Sequence, residues 1–402
     1  MPNVCATSRR LFCGLAICVG ALGFVFPVWA QDVAPAAQST APLPALKRGV
    51  NLSNWFAEGQ RVPLVVRDFD GLKKAGFDHV RIPINPELLG FSLADASTGR
   101  VLFDFAKLDE AVNMARDAGL ATILDIHPTE GIASLIEQDS SSEAGMIALW
   151  TRIADHYKTY AGGFVTLELL NEPSFRDDLS KYRTLITDGV EAIRKIAPDL
   201  PIVVDVPKGA NVEGFDGFSP LDDARTFYAF HFYEPYIFTH QGLKVASSRG
   251  RALRYIRNLP YPSSRVDAKG DYAPNAPDAQ EAAAEVSQYV AANWDAARIA
   301  AWIKLAADWG KAYHRHVICT EFGVVRHYAS PNYRYLWIEH ARKAFEAGGL
   351  GWDIWDYGDL FGITKLIGET ALDPTDGSIR LVDPEQGSRD IEPEALKALF
   401  QN

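Results

Sequence analysis

The stretch Val165-Thr166-Leu167-Glu168-Leu169-Leu170-Asn171-Glu172-Pro173 decides how the rest of the chain reads. A mostly apolar run of strand length stops in two polar residues and a proline. That profile fits a buried parallel strand that delivers Asn171 and Glu172 to its C-terminal end. Val317-Ile318-Cys319-Thr320-Glu321-Phe322-Gly323 has the same build and delivers Glu321. Outward from these two, further strand candidates lie at Arg48–Leu52, His79–Ile84, Ala121–Ile126, Ile202–Val206, Thr226–His231 and Leu350–Trp355. The two starting runs give strands over Val165–Leu170 and His316–Thr320.

Helical stretches fall between them, at Asp68–Ala75, Phe105–Ala118, Glu143–Tyr160, Lys181–Ile196, Glu281–Trp309 and Asn332–Ala347. Glycines after Ala75 and Ala118 offer left-handed caps to two of these helices. Eight strands with helical crossovers is the count of a single α/β domain, the (β/α)8 or TIM barrel, closed by right-handed βαβ linkage. The alternative is an open doubly wound sheet, which wants a Gly-rich phosphate turn after its first strand; Arg48–Trp55 has none. The barrel is expected over residues 46–370. The long irregular stretch Gln241–Ala279, after the sixth strand, is expected to lie over the catalytic face. Residues 371–402 read as a short C-terminal extension packed on the barrel, ending in a helix.

The first thirty residues read as a targeting segment. Arg9 and Arg10 precede an apolar stretch, Leu11–Phe26, too short for an ordinary membrane span, and Ala30–Gln31 is a plausible cleavage point. Ser8-Arg9-Arg10-Leu11-Phe12 also resembles a twin-arginine signal. Export to the periplasm or beyond is therefore expected, with no stable membrane anchor after cleavage. Residues 31–45, rich in Ala, Pro, Gln and Ser, read as a flexible linker. Cleavage would remove Cys5, Cys13 and Cys18 and leave Cys319, so no disulfide within the chain is expected. The net charge of −11 repels phosphate backbones and argues against a nucleic-acid partner.

In such a barrel the chemistry sits at the C-terminal strand ends. Glu172 and Glu321 can point into one cleft there. A carboxylate pair is what glycoside cleavage needs, one attacking the anomeric carbon and the other protonating the leaving oxygen. Around them, Arg81 brings a positive charge to Glu321, and Tyr233 brings a hydrogen-bond donor. Asn171 suits a sugar 2-hydroxyl, His127 and His231 suit the sugar or the acid, and Trp355 suits stacking under a ring, with Trp352 as its alternative.

These residues resemble glycoside hydrolase family 5, within clan A of retaining barrel glycosidases. The resemblance is carried by Arg48-Gly49-Val50-Asn51-Leu52 with Trp55, His79-Val80-Arg81-Ile82-Pro83, Asp125-Ile126-His127 and Leu170-Asn171-Glu172-Pro173. It continues through His231-Phe232-Tyr233-Glu234-Pro235, Thr320-Glu321-Phe322-Gly323 and Gly351-Trp352-Asp353-Ile354-Trp355. It implies Glu172 as acid/base, Glu321 as nucleophile, and Arg81, His127, Asn171, His231, Tyr233, Trp55 and Trp355 as substrate-binding residues. It implies no metal and no organic cofactor, a β-glucan polysaccharide or oligosaccharide as partner, and a monomer.

The segment Phe232–Gly242 looks like bacterial members that act as cellulases, so an endo-β-1,4-glucanase is expected. A mannanase, another β-glucanase or an exo-glucosidase is the alternative within the family. Outside it stand a non-catalytic sugar-binding barrel, disfavoured because both glutamates are present, and a metal-dependent hydrolase built on Asp125-Ile126-His127. The latter would want more histidines at strand ends than the chain supplies. A serine hydrolase would want a Gly-x-Ser-x-Gly elbow, which the sequence lacks.

Overall fold

A computed structural model describes residues 42–401, apart from positions 54, 58–63, 97, 161–162, 176–177, 245–249, 373–378 and 384–385. The expected signal segment lies outside the described residues.

Eight parallel strands close into a barrel in sequence order. They are β1 (Arg48–Asn51), β2 (His79–Ile84), β3 (Ala121–Ile126), β4 (Val165–Glu168), β5 (Ile202–Asp205), β6 (Thr226–Phe232), β7 (Val317–Phe322) and β8 (Gly351–Ile354). Apart from the partly exposed Arg48 and Ala121 at the starts of β1 and β3, every strand residue is buried. This is why the strands read as near-continuous apolar runs rather than alternating ones. β1 pairs β8 at Val50 and Ile354, which closes the ring.

Helices Val66–Ala75, Ala106–Asp117, Ser140–Tyr157, Leu179–Ile196, Ala296–Tyr313 and Pro331–Gly348 form the outer layer. Gly76, at φ 111°, caps the first of these by donating its N–H to the Leu72 and Lys73 carbonyls. The crossover from β5 to β6 carries a single 3-10 turn, Val212–Phe215, in place of a long helix.

One expectation needs correction. The helix expected over Glu281–Trp309 is two helices, Ala279–Ala291 and Ala296–Tyr313. Asn293 turns left-handed at φ 50°, and Asp295 starts the second helix by accepting the Arg298 N–H at 2.9 Å. Apolar periodicity runs through such a break, so the cap is the signal that matters.

The described residues of the loop after β6 lean on the loop after β7 and on the helices beside it. Tyr261 hydrogen-bonds His340 at 2.8 Å, Arg257 lies over the Tyr328 ring at 4.0 Å, and Ser263 bonds the Trp294 carbonyl at 2.9 Å. The loop's apolar residues are used in burying the helices beside it.

The C-terminal extension begins inside the expected barrel boundary. Strand Thr364–Ile367 pairs antiparallel with Ser388–Ile391, and helix Pro393–Phe400 follows. Phe400 packs edge-on against Phe77 at 5.0 Å and near Trp352. Arg342 bonds the carbonyls of Ala398 and Gln401. No helix among the described residues is long and apolar enough to cross a membrane.

Candidate active site

The carboxylates come together at the C-terminal ends of the strands. An oxygen of Glu172 and one of Glu321 lie within 4.8 Å of each other, and His231 Nδ1 stands 2.8 Å from Glu172 and 3.5 Å from Glu321. Two irregularities in the sheet aim these groups. The β6–β7 register shifts between Phe230 and His231, and the β7–β8 register shifts between Cys319 and Phe322. Bulges of this kind re-aim side chains beside active sites. β7 runs two residues past its expected end, so Glu321 sits on the strand itself. Glu172 sits four residues past β4, with its backbone left-handed at φ 46°.

Arg81, wholly buried on β2, organises the floor of the site. Its Nε and Nη2 donate to the two Glu168 oxygens at 2.8 Å each. Nη1 donates to Asn51 and to Glu321 Oε1, both at 2.9 Å. Nη2 also donates to Asn171 Oδ1 at 2.9 Å and lies 3.0 Å from Asp125. The planar fork of a guanidinium suits this many simultaneous acceptors. Tyr233 donates to the second Glu321 oxygen at 2.9 Å. The nucleophile candidate is therefore held at both oxygens, and its side chain is only 7% exposed.

Glu172 is held differently. Its side chain is 48% exposed, and Oε1 meets His231 Nδ1 at 2.8 Å. Burial pulls its carboxyl up, but the hydrogen bond and charge of His231, with His127 and Arg81 behind, outweigh that and set it below the usual glutamate range. Burial lowers His231 in turn, and Glu321 and Glu172 overcome this and raise it. The bond between them thus draws the shared proton toward His231 and away from Glu172.

Asn171 has a fixed orientation. Arg81 takes its Oδ1, which turns Nδ2 toward His127 Nε2 at 3.3 Å. His127 Nδ1 meets Asp125 at 2.9 Å, and its ring stacks 6.1 Å from that of Trp355.

Two cavities open among the residues around the carboxylate pair. One of about 270 Å³ is lined by Ser53, Asn85, His127, Trp355 and Phe361 among others. The other, about 130 Å³, is lined by Glu172, Asn211, His231, Tyr233 and Tyr236 among others. Trp355 lines the first cavity, whereas Trp352 is wholly buried against Phe77 and Phe322.

Trp55 does not join the cluster. It is 5% exposed, packs on Phe56 and Phe69, and belongs to the core under β1. Three residues absent from the expected site stand in its floor: Asp125, Glu168 and Asp205. Their sequence signal is a lone acid inside an otherwise apolar strand.

Two trios here have donor atoms close enough for a cation, Glu172-His231-Glu321 and Glu168-Asp205-His231. Arg81 already places a fixed positive charge on Glu168 and Glu321. A metal ion would have to sit beside that charge, so the donor set fits the guanidinium better than a second cation.

A closed parallel barrel with two carboxylates this close at its mouth, one half-exposed beside a histidine and the other gripped by a guanidinium and a phenol, defines a glycosidase of the two-glutamate kind. The Cellulase family model (glycosyl hydrolase family 5) matches residues 44–358, and the chain belongs to this family. Among curated relatives, Endoglucanase C of Acetivibrio thermocellus is 24% identical over 327 residues, covering 78% of this chain and 91% of that protein. Cellodextrinase A of Ruminococcus flavefaciens is 29% identical over 48% of this chain and 60% of its own length. Endoglucanase Cel5A of Thermotoga maritima shares the fold at TM-score 0.65 and 22% identity, over 89% of this chain and 98% of that one. So does cellulose synthase subunit Z of Clostridioides difficile, at TM-score 0.65 and 22% identity, over 88% and 99%.

Proposed function

We propose that this glycoside hydrolase is a retaining endo-β-1,4-glucanase with Glu321 as nucleophile and Glu172 as acid/base. The observation that carries the reading is the approach of the two carboxylates to within 4.8 Å with two cavities among the residues around them. Retaining enzymes hold their carboxyl groups about 5–5.5 Å apart, while inverting enzymes leave roughly 6.5–9.5 Å for a water. The acid must stand beside the leaving oxygen, so the cavity shared by Glu172, Asn211 and Tyr236 takes the leaving part of the chain. The cavity under Trp355 and His127 takes the sugars that stay. Room for both parts suits cleavage inside a chain.

Glu321 attacks the anomeric carbon as Glu172 donates a proton to the departing oxygen, a proton drawn from His231 along their hydrogen bond. The free Nδ2–H of Asn171 meets the 2-hydroxyl, a contact that strengthens in the transition state. Glu172 then deprotonates water, which hydrolyses the glycosyl-enzyme with the anomeric configuration retained.

The test is hydrolysis of carboxymethyl-cellulose, mixed-linkage glucan, mannan and xylan, with Glu321→Ala as control. Mannan is included because Cel5A of Thermotoga maritima has been crystallised with mannotriose as well as cellobiose. Cleavage of the glucans with a rapid fall in viscosity, lost in the variant, is the expected result. Cleavage of mannan alone would sink the glucanase reading, and release of monosaccharide without loss of viscosity would sink the endo reading. The N-terminal segment marks the protein for export as a monomer without a retained anchor. Cell fractionation and size-exclusion chromatography test this, and a membrane-bound or dimeric product would contradict it.

A further inference from the structure

Asp205 closes β5 directly beneath the acid/base and is fully buried. Its Oδ2 accepts the Glu172 backbone N–H at 3.1 Å, at the residue whose φ is 46°. A non-glycine residue in the left-handed region is held there by its surroundings. The segment after Asp205 ties the same region down. Gly209 and Lys208 donate to the Pro173 and Ser174 carbonyls at 2.8 and 3.0 Å, and His231 donates its N–H to Ala210 at 2.7 Å. Tyr182 fixes the Asp205 carbonyl from the helix outside.

The charges around Asp205 are lopsided. Glu168 on β4 faces it, with a carboxylate oxygen of each within 4.8 Å. Asp125 on β3 adds a second negative charge, and Arg81 on β2 a positive one. Every Arg81 bond described above goes to another acceptor. His231 Nε2 on β6 stands 3.8 Å from Oδ2, beyond hydrogen-bond distance. Asp205 Oδ1 meets no protein N–H or O–H donor, and neither does His231 Nε2 meet a partner. Arg81 is bonded to Glu168 and to neither Asp205 oxygen, so of the two facing carboxylates it is the charge of Asp205 that would go without a bonded cation.

We propose that Asp205 is a positioning residue for the acid/base: as an uncharged carboxylic acid it shares its proton with Glu168 and, through Oδ2, pins the Glu172 backbone in the conformation that aims its carboxyl at the leaving oxygen. The inference rests on the reading of Glu172 as acid/base. Burial pushes the Asp205 carboxyl well above the ordinary range, and the charge of Glu168 adds to it against Arg81.

The test compares kcat/KM for a soluble glucan with that for dinitrophenyl β-cellobioside, whose phenolate leaves without a proton. Asp205→Asn keeps an uncharged group that donates to Glu168 and accepts from Glu172. It should stay within about threefold of wild type on both substrates, with an unmoved pH profile, since the acid's contribution of roughly 10²–10⁴ is intact. Asp205→Ala should lose about 10²-fold on the glucan and far less on the aryl glycoside.

Equal losses on both substrates would mean that Asp205 holds the fold and not the acid. An Asn variant as damaged as the Ala variant would mean that a charged aspartate is needed. Either result overturns the proposal. Should Asp205→Ala fail to fold, the infrared difference between wild type and Asp205→Asn decides: the carbonyl band of a protonated acid supports the proposal, and carboxylate bands refute it. Glu172→Ala serves as reference. If it too loses equally on both substrates, the acid/base assignment has failed, independently of Asp205.

Discussion

Two clusters of buried charge occupy opposite ends of the same barrel, and β2 contributes to both. At the foot, His79 lies between Asp78 and Asp353, with 2.5 Å to each. At the mouth, Arg81 joins Glu168, Asp125, Asn171 and Glu321. His79 and Arg81 are two residues apart, so one strand face carries both. At the foot His79 bridges the two acids, and the His79 and Asp353 side chains have no exposure at all, while Asp78 is one third exposed. At the mouth the network is left open, since Glu172 keeps half its side chain in the cleft. A closed charge cluster holds the barrel together; an open one leaves oxygen lone pairs for chemistry. This agrees with the general division of such barrels into a stabilising N-terminal face and a reactive C-terminal face.

The largest expected effects separate the two ends by what each damages. Glu321→Gln should lower kcat/KM on glucan by roughly 10⁴-fold or more, since a nucleophile has no substitute. Its melting temperature should barely move. A melting temperature that fell as steeply as activity would put Glu321 in the structural class with His79.

At the foot the converse is expected. Asp353→Asn leaves a buried imidazolium short of its partner and should cost about 3–5 kcal/mol in denaturant unfolding, with kcat nearly unchanged. The foot also predicts a pH dependence. His79 is pulled down by burial, but Asp353 and Asp78 outweigh this and raise it to about 10 from 6.5. A group raised on folding stabilises fully below its unfolded value and loses that contribution as pH climbs through the folded one. Thermal stability should therefore decline between pH 6.5 and 10, and this slope should shrink in Asp353→Asn, where Asp78 alone still holds His79 up.

The two ends were not equally legible in the sequence. All eight strands read correctly to within a few residues, because parallel strands buried on both faces are apolar almost throughout. Glu172 and Glu321 were legible because each interrupts such a run at its C-terminal end. Asp205 was not, because an acid inside a strand carries no mark of what it faces; only the closed ring sets it against Glu168 and under the Glu172 N–H. Trp55 misled for the opposite reason. An aromatic residue after a barrel strand suits a sugar platform and a core equally, and Phe56 and Phe69 claim it for the core.

Smaller effects sharpen the picture at the mouth. Tyr233→Phe removes one hydrogen bond to a carboxylate, worth about 1.5–3 kcal/mol, and so should cost roughly 10–100-fold in kcat/KM with the fold intact. No loss would mean that Arg81 alone orients Glu321.

The smallest effect is a displacement along the pH axis, and it contrasts the two buried histidines most directly. His79 keeps its proton in a buried site, whereas in the proposed mechanism His231 surrenders one to Glu172 in each cycle. With His231 raised and Glu172 lowered by the same bond, activity should fail on the basic side only above the ordinary histidine value of 6.5. His231→Ala removes the proton's resting place, so Glu172 must hold it unaided and the basic limb of kcat/KM should move down toward the glutamate range. A basic limb that stayed in place would show that another group supplies the proton, and the open cluster at the mouth would then be as self-contained as the closed one at the foot.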